Sequence, residues 1–124
     1  MSTRKVLIVE DSGATRELLR AACETLDDVE VHTAVSGFDA LKVLPRHRFE
    51  LIITDINMPD INGLELINFV KKNPHYKDTP LFVVTTEGRD QDRERGMSLG
   101  ANEYVVKPFA PETILVLVKQ YLKL

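Results

Sequence analysis

Three features of this sequence point to an α/β domain with a five-stranded parallel sheet. Short apolar runs alternate with amphipathic stretches along the whole chain. Most of the runs are continuous and β-branched, as in strands covered on both faces. The connections are short, with no low-complexity segment and no repeat. Strand–helix alternation of this kind gives helices on both faces of the sheet through right-handed crossovers. The 124 residues suit one domain spanning 1–124, long enough to bury a core without staples.

The first strand is Val6-Leu7-Ile8-Val9. From Ala14, the positions Leu18, Leu19, Ala22 and Leu26 keep a 3.6 period and predict a helix buried on that stripe. Val29-Glu30-Val31-His32-Thr33 alternates, which predicts an edge strand with one wet face. Ser36 and Asp39 have capping-box spacing, Phe38, Leu41 and Leu44 form the stripe behind them, and Pro45 ends that helix. Leu51-Ile52-Ile53 is a strand, and Leu64 to Lys72 a helix with Leu66, Ile67 and Val70 inward, ended by Asn73-Pro74. Leu81-Phe82-Val83-Val84 and Tyr104-Val105-Val106 are strands expected to be buried on both faces. Between them, Arg89 to Leu99 is a weak, highly charged helix, with Gly100 as its left-handed cap. Pro111 opens the last helix. On a helical wheel its Ile114, Leu117, Val118, Tyr121 and Leu122 share one side, with Val116 opposite.

Charge and composition narrow the function. Sixteen Lys+Arg against nineteen Asp+Glu leave a net charge of −3, which predicts no direct nucleic-acid or anionic-membrane binding. No apolar stretch nears the ~18 residues that span a bilayer. The basic Met1–Lys5 start leads into an apolar run too short for a signal peptide, so a soluble, cytoplasmic protein is expected. Cys23 is the single cysteine, which excludes an intrachain disulfide and predicts a small core-facing helix residue. His32, His47 and His75 are scattered without metal-ligand spacing and are expected in solvated or edge positions. No GxGxxG or GxxxxGK[ST] occurs.

Chemistry-bearing residues cluster directly after the buried runs. Glu10, Asp11 and Ser12 come after the first strand; Thr54, Asp55, Ile56 and Asn57 lie at the end of the third. Thr85, Thr86 and Glu87 come after the fourth, and Lys107-Pro108 after the fifth. In an open parallel sheet these carboxyl ends share one edge, where ligands bind. Three carboxylates, hydroxyls and one ammonium should therefore converge. Mutual repulsion should raise at least one carboxylate pKa unless a cation intervenes. Hard oxygen ligands open to solvent suit Mg²⁺. Asp55 can then act as a nucleophile toward phosphorus, with Lys107 and the Thr85 hydroxyl pairing with phosphoryl oxygens.

The chain resembles the receiver domains of two-component response regulators, of the CheY-like type. The resemblance rests on Val9-Glu10-Asp11-Ser12, Thr54-Asp55-Ile56-Asn57-Met58-Pro59 with Gly63-Leu64-Glu65-Leu66, Val84-Thr85 and Tyr104-Val105-Val106-Lys107-Pro108-Phe109, in that order. It implies a flavodoxin-like, doubly wound sheet of order 2-1-3-4-5 and a cis Lys107–Pro108 peptide. It implies that Asp55 is the phosphoacceptor and that Glu10, Asp11, Asp55 and the Asn57 carbonyl hold Mg²⁺. Thr85 and Lys107 would bind the phosphoryl group, Tyr104 would be the switching aromatic, and Asn57 and Glu87 would tune a short-lived phosphoryl state. The partners implied are a sensor histidine kinase or phosphotransfer protein and a downstream protein, bound through the surface of the fourth helix, fifth strand and fifth helix by a monomer or weak dimer. Thr86 departs from the small residue many receivers carry there and narrows the site. The alternative is a Mg²⁺-dependent aspartyl phosphatase, but Asn57 stands where that chemistry needs a second acid.

Overall fold

Residues 3–124 are described by a computed structural model. Their elements run β1 (Arg4–Val9), α1 (Gly13–Glu24), β2 (Val29–Ala34), α2 (Gly37–Val43), a 3₁₀ turn (Leu44–Arg46), β3 (Leu51–Thr54), α3 (Gly63–Lys72), β4 (Leu81–Thr85), α4 (Asp90–Leu99), β5 (Glu103–Val106) and α5 (Pro111–Leu122). The five strands form one parallel sheet in the order β2-β1-β3-β4-β5. This is the flavodoxin-like arrangement.

Alternate residues of the central strands divide the core into two layers. Leu7, Val9, Ile52, Leu81 and Val83 pack with Ala40, Leu66, Ile67 and Val70 of α2 and α3. Val6, Ile8, Leu51, Ile53, Phe82 and Val84 pack with Leu19 and Cys23 of α1 and Ile114, Val118 and Leu122 of α5. The Cys23 thiol is buried, and that burial, then the Glu24 charge, pushes its pKa up to about 11. It is a core residue rather than a reactive one.

Local chemistry sets the helix starts. Ser12, Ser36 and Asn62 cap α1, α2 and α3, accepting from the main-chain N–H of Thr15, Asp39 and Glu65. Asp39 reaches back to the Val35 N–H at 3.0 Å. Gly100 ends α4 with φ +118°, where an added Cβ would also meet the Lys71 side chain. The Lys107–Pro108 peptide is cis.

Three apolar expectations are corrected. Leu18 and Phe38 are exposed, and Leu26 lies beyond the end of α1. Leu19, Ala22 and Cys23 are buried on α1 as the sequence predicts, and on α2 the small Ala40, not Phe38, faces the sheet. β5 is not covered on both faces: it is the sheet's second edge, and Val106 is 39% exposed. α4 buries only Gly96, as expected for so charged a helix. The β2 edge and the α5 wheel lie as the sequence places them, and Val116 is 64% exposed.

Candidate functional site at the carboxyl edge of the sheet

Strand register builds the site. Val9 pairs with Thr54, so Glu10 and Asp55 leave adjacent strands side by side. Thr85 pairs with Val106, and the Lys107 N–H donates to the Thr85 carbonyl at 2.7 Å, which brings Lys107 onto the same edge. Its ammonium donates to Glu10 Oε1 at 2.8 Å and to Asp55 Oδ2 at 3.0 Å. Asp11 is exposed beside them, and one carboxylate oxygen each from Glu10, Asp11 and Asp55 lies within 4.8 Å of the others. The predicted convergence of three acids and one ammonium is thus present.

Depth governs the electrostatics. Glu10 and Asp55 are buried, and Lys107 is nearly so. Burial raises the Glu10 pKa above its ordinary value, with the Lys107 bond and the Ser12 N–H opposing and the Asp55 charge adding to the rise. The raised carboxylate that repulsion predicts is therefore present, but desolvation is its main cause. Burial also disfavours the Lys107 ammonium, yet its bonds to Glu10 and Asp55 outweigh that and raise its pKa. Asp55 Oδ1 accepts from the Ile56 N–H at 2.6 Å and the Asn57 N–H at 3.3 Å, which leaves the carboxylate fixed in orientation.

The β4 side supplies the neighbours. Thr85 is fully buried, and its hydroxyl accepts from the Glu87 N–H at 3.3 Å. Asn57 donates through Nδ2 to Glu87 Oε1 at 2.7 Å, a strap across the mouth of the site. Tyr104 packs its ring at Gly96 of α4 and donates its hydroxyl to the Glu87 carbonyl. Its ring therefore lies under α4. Thr86 is exposed and, with Thr15, Leu18, Lys107, Pro108 and Phe109, lines a hollow of about 330 Å³ beside the ammonium. Leu18, placed in the core by periodicity, belongs to this wall.

Two positioning residues carry no sequence signal of the kind used above. Asp60 accepts from the N–H groups of Gly37, Phe38 and Ile61 at 3.1, 2.8 and 2.7 Å, tying the segment after Asp55 to the start of α2. Burial works against its charge, but the Phe38, Ile61 and Gly37 N–H groups and the Ser36 hydroxyl hold its pKa down to about 2. Arg16 donates to the Glu10 carbonyl at 2.9 Å and clamps the acidic turn. Neither residue sits directly after a buried strand, so strand ends do not point to them.

The sequence model of the response regulator receiver domain matches residues 6–119. The chain belongs to the response regulator receiver domain family. A receiver of this kind is a CheY-like module of two-component systems, and such domains work with histidine kinases or phosphotransfer partners. The chain is 36% identical over 111 residues to a chemotaxis protein CheY homolog of Campylobacter jejuni, covering 89% of this chain and 85% of that one. It is 33% identical to the chemotaxis protein CheY1 of Helicobacter pylori, over 89% of this chain and 90% of that one. Among solved structures, the chemotaxis response regulator CheY4 of Vibrio cholerae superposes with a TM-score of 0.88 at 36% identity, covering 97% of this receiver and 99% of the other. The BeF3-activated DrrB receiver domain superposes with a TM-score of 0.89 at 27% identity over 100% of both chains. Receiver domains generally bind Mg²⁺ at an acidic pocket, and the Glu10, Asp11, Asp55 cluster can form one. Among the described residues, no helix is long and apolar enough to cross a membrane.

Proposed function

We propose that this receiver accepts a phosphoryl group on Asp55 from the phosphohistidine of a sensor kinase or phosphotransfer protein in the cytoplasm. It then signals by binding a downstream protein, in a chemotaxis-like or other two-component relay. The observation that carries this reading is the Lys107 ammonium bridging Glu10 and Asp55 at the ends of adjacent strands. An Asp55 carboxylate oxygen attacks phosphorus, the P–N bond breaks, and the imidazole departs with the electron pair. Two main-chain N–H groups fix the Asp55 carboxylate beforehand, which lowers the ordering cost of the transition state. Lys107 turns from the carboxylates to a phosphoryl oxygen as a point charge. The Thr85 hydroxyl donates to another oxygen, and Asn57 and Glu87 orient water for the later hydrolysis.

Hard oxygen donors fit Mg²⁺, with Glu10, Asp11, Asp55 and the Asn57 carbonyl as its ligands. Bound there, Mg²⁺ supplies positive charge against the phosphoryl oxygens. Replacement of Asp11 by Asn removes one like charge from the cluster. The metal-free variant should melt higher than wild type, and its Mg²⁺-dependent melting shift should shrink. An undiminished shift would remove Asp11 from the ligand set.

Output goes through α4, β5 and α5. Added charge of about −2 on Asp55 draws Thr85 inward and moves Tyr104, shifting the population of this face. On this reading Val116, exposed on α5, is part of that face. Val116→Glu should change folding stability by less than about 0.5 kcal/mol while weakening partner capture in the presence of beryllofluoride. Capture unchanged by the substitution would place the partner elsewhere.

The test of the whole reading contrasts acceptance with turnover. Acetyl phosphate and Mg²⁺ should label each chain once, and a generic phosphoester should not be turned over. Sustained phosphoester turnover would mean an aspartyl phosphatase instead.

A further inference from the structure

The fold joins two of the three histidines that look scattered in the sequence. Glu30 and His32 lie two apart on β2 and so on one face of the sheet. His47, just past the 3₁₀ turn, has extended backbone (φ −144°, ψ 160°) and meets them from the segment entering β3. The two imidazole centroids are 4.1 Å apart, and His32 Nε2 lies 2.5 Å from Glu30 Oε2. One ligand atom from each of Glu30, His32 and His47 lies within 4.8 Å of the others. Phe49 stands edge-on to both rings, at 5.6 and 5.7 Å, and forms an apolar floor. Lys5 pairs in register with Glu30, and its ammonium sits 3.2 Å from His47 Nδ1 and 3.9 Å from Glu30 Oε2.

We propose that Glu30, His32 and His47 bind one borderline divalent transition-metal ion of the Zn²⁺ class, and that the Lys5 ammonium holds the cation's place when the ion is absent. Two imidazoles and one carboxylate are a three-ligand set for tetrahedral Zn²⁺, with water as the fourth ligand. Ligand atoms about 2.1 Å from such an ion stand about 3.4 Å apart. His32 Nε2 and Glu30 Oε2 stand closer than that value and a His47 ring nitrogen lies within 4.8 Å of the other two ligand atoms, so modest rotation of these side chains suffices. Mg²⁺ does not compete well for imidazole nitrogen. The site is separate from Asp55: Lys5 lies five residues before Glu10 along β1, about 16 Å at 3.3 Å per residue. The ion would pin the β2 edge to the segment entering β3.

Zn²⁺ titration of the full chain by calorimetry, in excess Mg²⁺ to occupy the acidic cluster, tests this. One ion per chain should bind. His47→Gln and His32→Gln should each weaken binding by at least about tenfold, the scale on which even indirect support of a metal ligand counts. Lys5→Gln should tighten binding, and His75→Gln should leave it unchanged. Melting of each metal-free variant checks that it is folded, and the two histidine variants are independent, so either one decides. Co²⁺ in the same site should give visible absorption that His47→Gln abolishes. Equal binding by wild type and a folded histidine variant would overturn the proposal, as would displacement of Zn²⁺ by Mg²⁺ or weaker binding in Lys5→Gln.

Discussion

Lys107→Met should destabilise the metal-free protein by about 3 kcal/mol at neutral pH, the low end of what removal of one partner of a buried ion pair costs. Glu10 and Asp55 are almost fully buried, and among the described residues Lys107 is the one cation bonded to both. Without it they face each other uncompensated. The pH dependence has a definite sign. Burial already raises the Glu10 pKa, so the native state takes up that proton more readily than the unfolded chain. Stability from this group is therefore greatest at and below the ordinary carboxylate pKa and is lost as pH rises through the raised folded value. Loss of Lys107 raises that value further and widens the window of lost stability toward neutrality. The deficit should shrink at mildly acidic pH, and Mg²⁺ should restore part of it by replacing the missing positive charge. Urea denaturation at two pH values, with and without Mg²⁺, measures this. A variant as stable as wild type at neutral pH without metal would show that the two carboxylates do not depend on the ammonium.

Gly63→Ala should cost about 3 kcal/mol, lowering the melting temperature by roughly 10 °C for a chain of this size. A Cβ at Gly63 would lie 2.1 Å from the Asp55 carbonyl oxygen and 2.7 Å from the Ile56 Cα. Both are main-chain atoms, so no rotamer change relieves the clash. The Gly63 N–H also donates to the Ile56 carbonyl at 2.7 Å. Relief must displace the backbone directly behind Asp55, so Mg²⁺ affinity should fall along with stability. Thermal melting decides the first effect and metal titration the second. A variant melting within a degree or two of wild type would mean that the turn yields easily.

The fold is legible because its strands announce themselves. Val6–Val9, Leu51–Ile53 and Leu81–Val84 are too short for buried helices and too apolar for loops. Polar residues directly after such runs must fall on one edge of a parallel sheet, which is why Glu10, Asp55, Thr85 and Lys107 can be grouped from sequence. Long-range geometry is not legible in the same way. Helix stripes name a face but not what covers it, so periodicity puts Leu18 and Phe38 in the core although they stay exposed. Val105-Val106 reads as doubly buried by composition, yet strand order leaves β5 at an edge. The Asn57–Glu87 strap, the Asp60 tie to α2 and the His32–His47 approach join residues that are far apart in the chain. No periodicity encodes those pairs.

Intact-mass measurement after incubation with acetyl phosphate and Mg²⁺ decides whether Asp55 carries the phosphoryl group. Wild type should gain a single phosphoryl group, and removal of Mg²⁺ with chelator should prevent the gain. Asp55→Asn, which preserves shape while removing the nucleophilic carboxylate, should remain at its starting mass. Equal labelling of the Asn variant and wild type would mean that another residue carries the phosphoryl group.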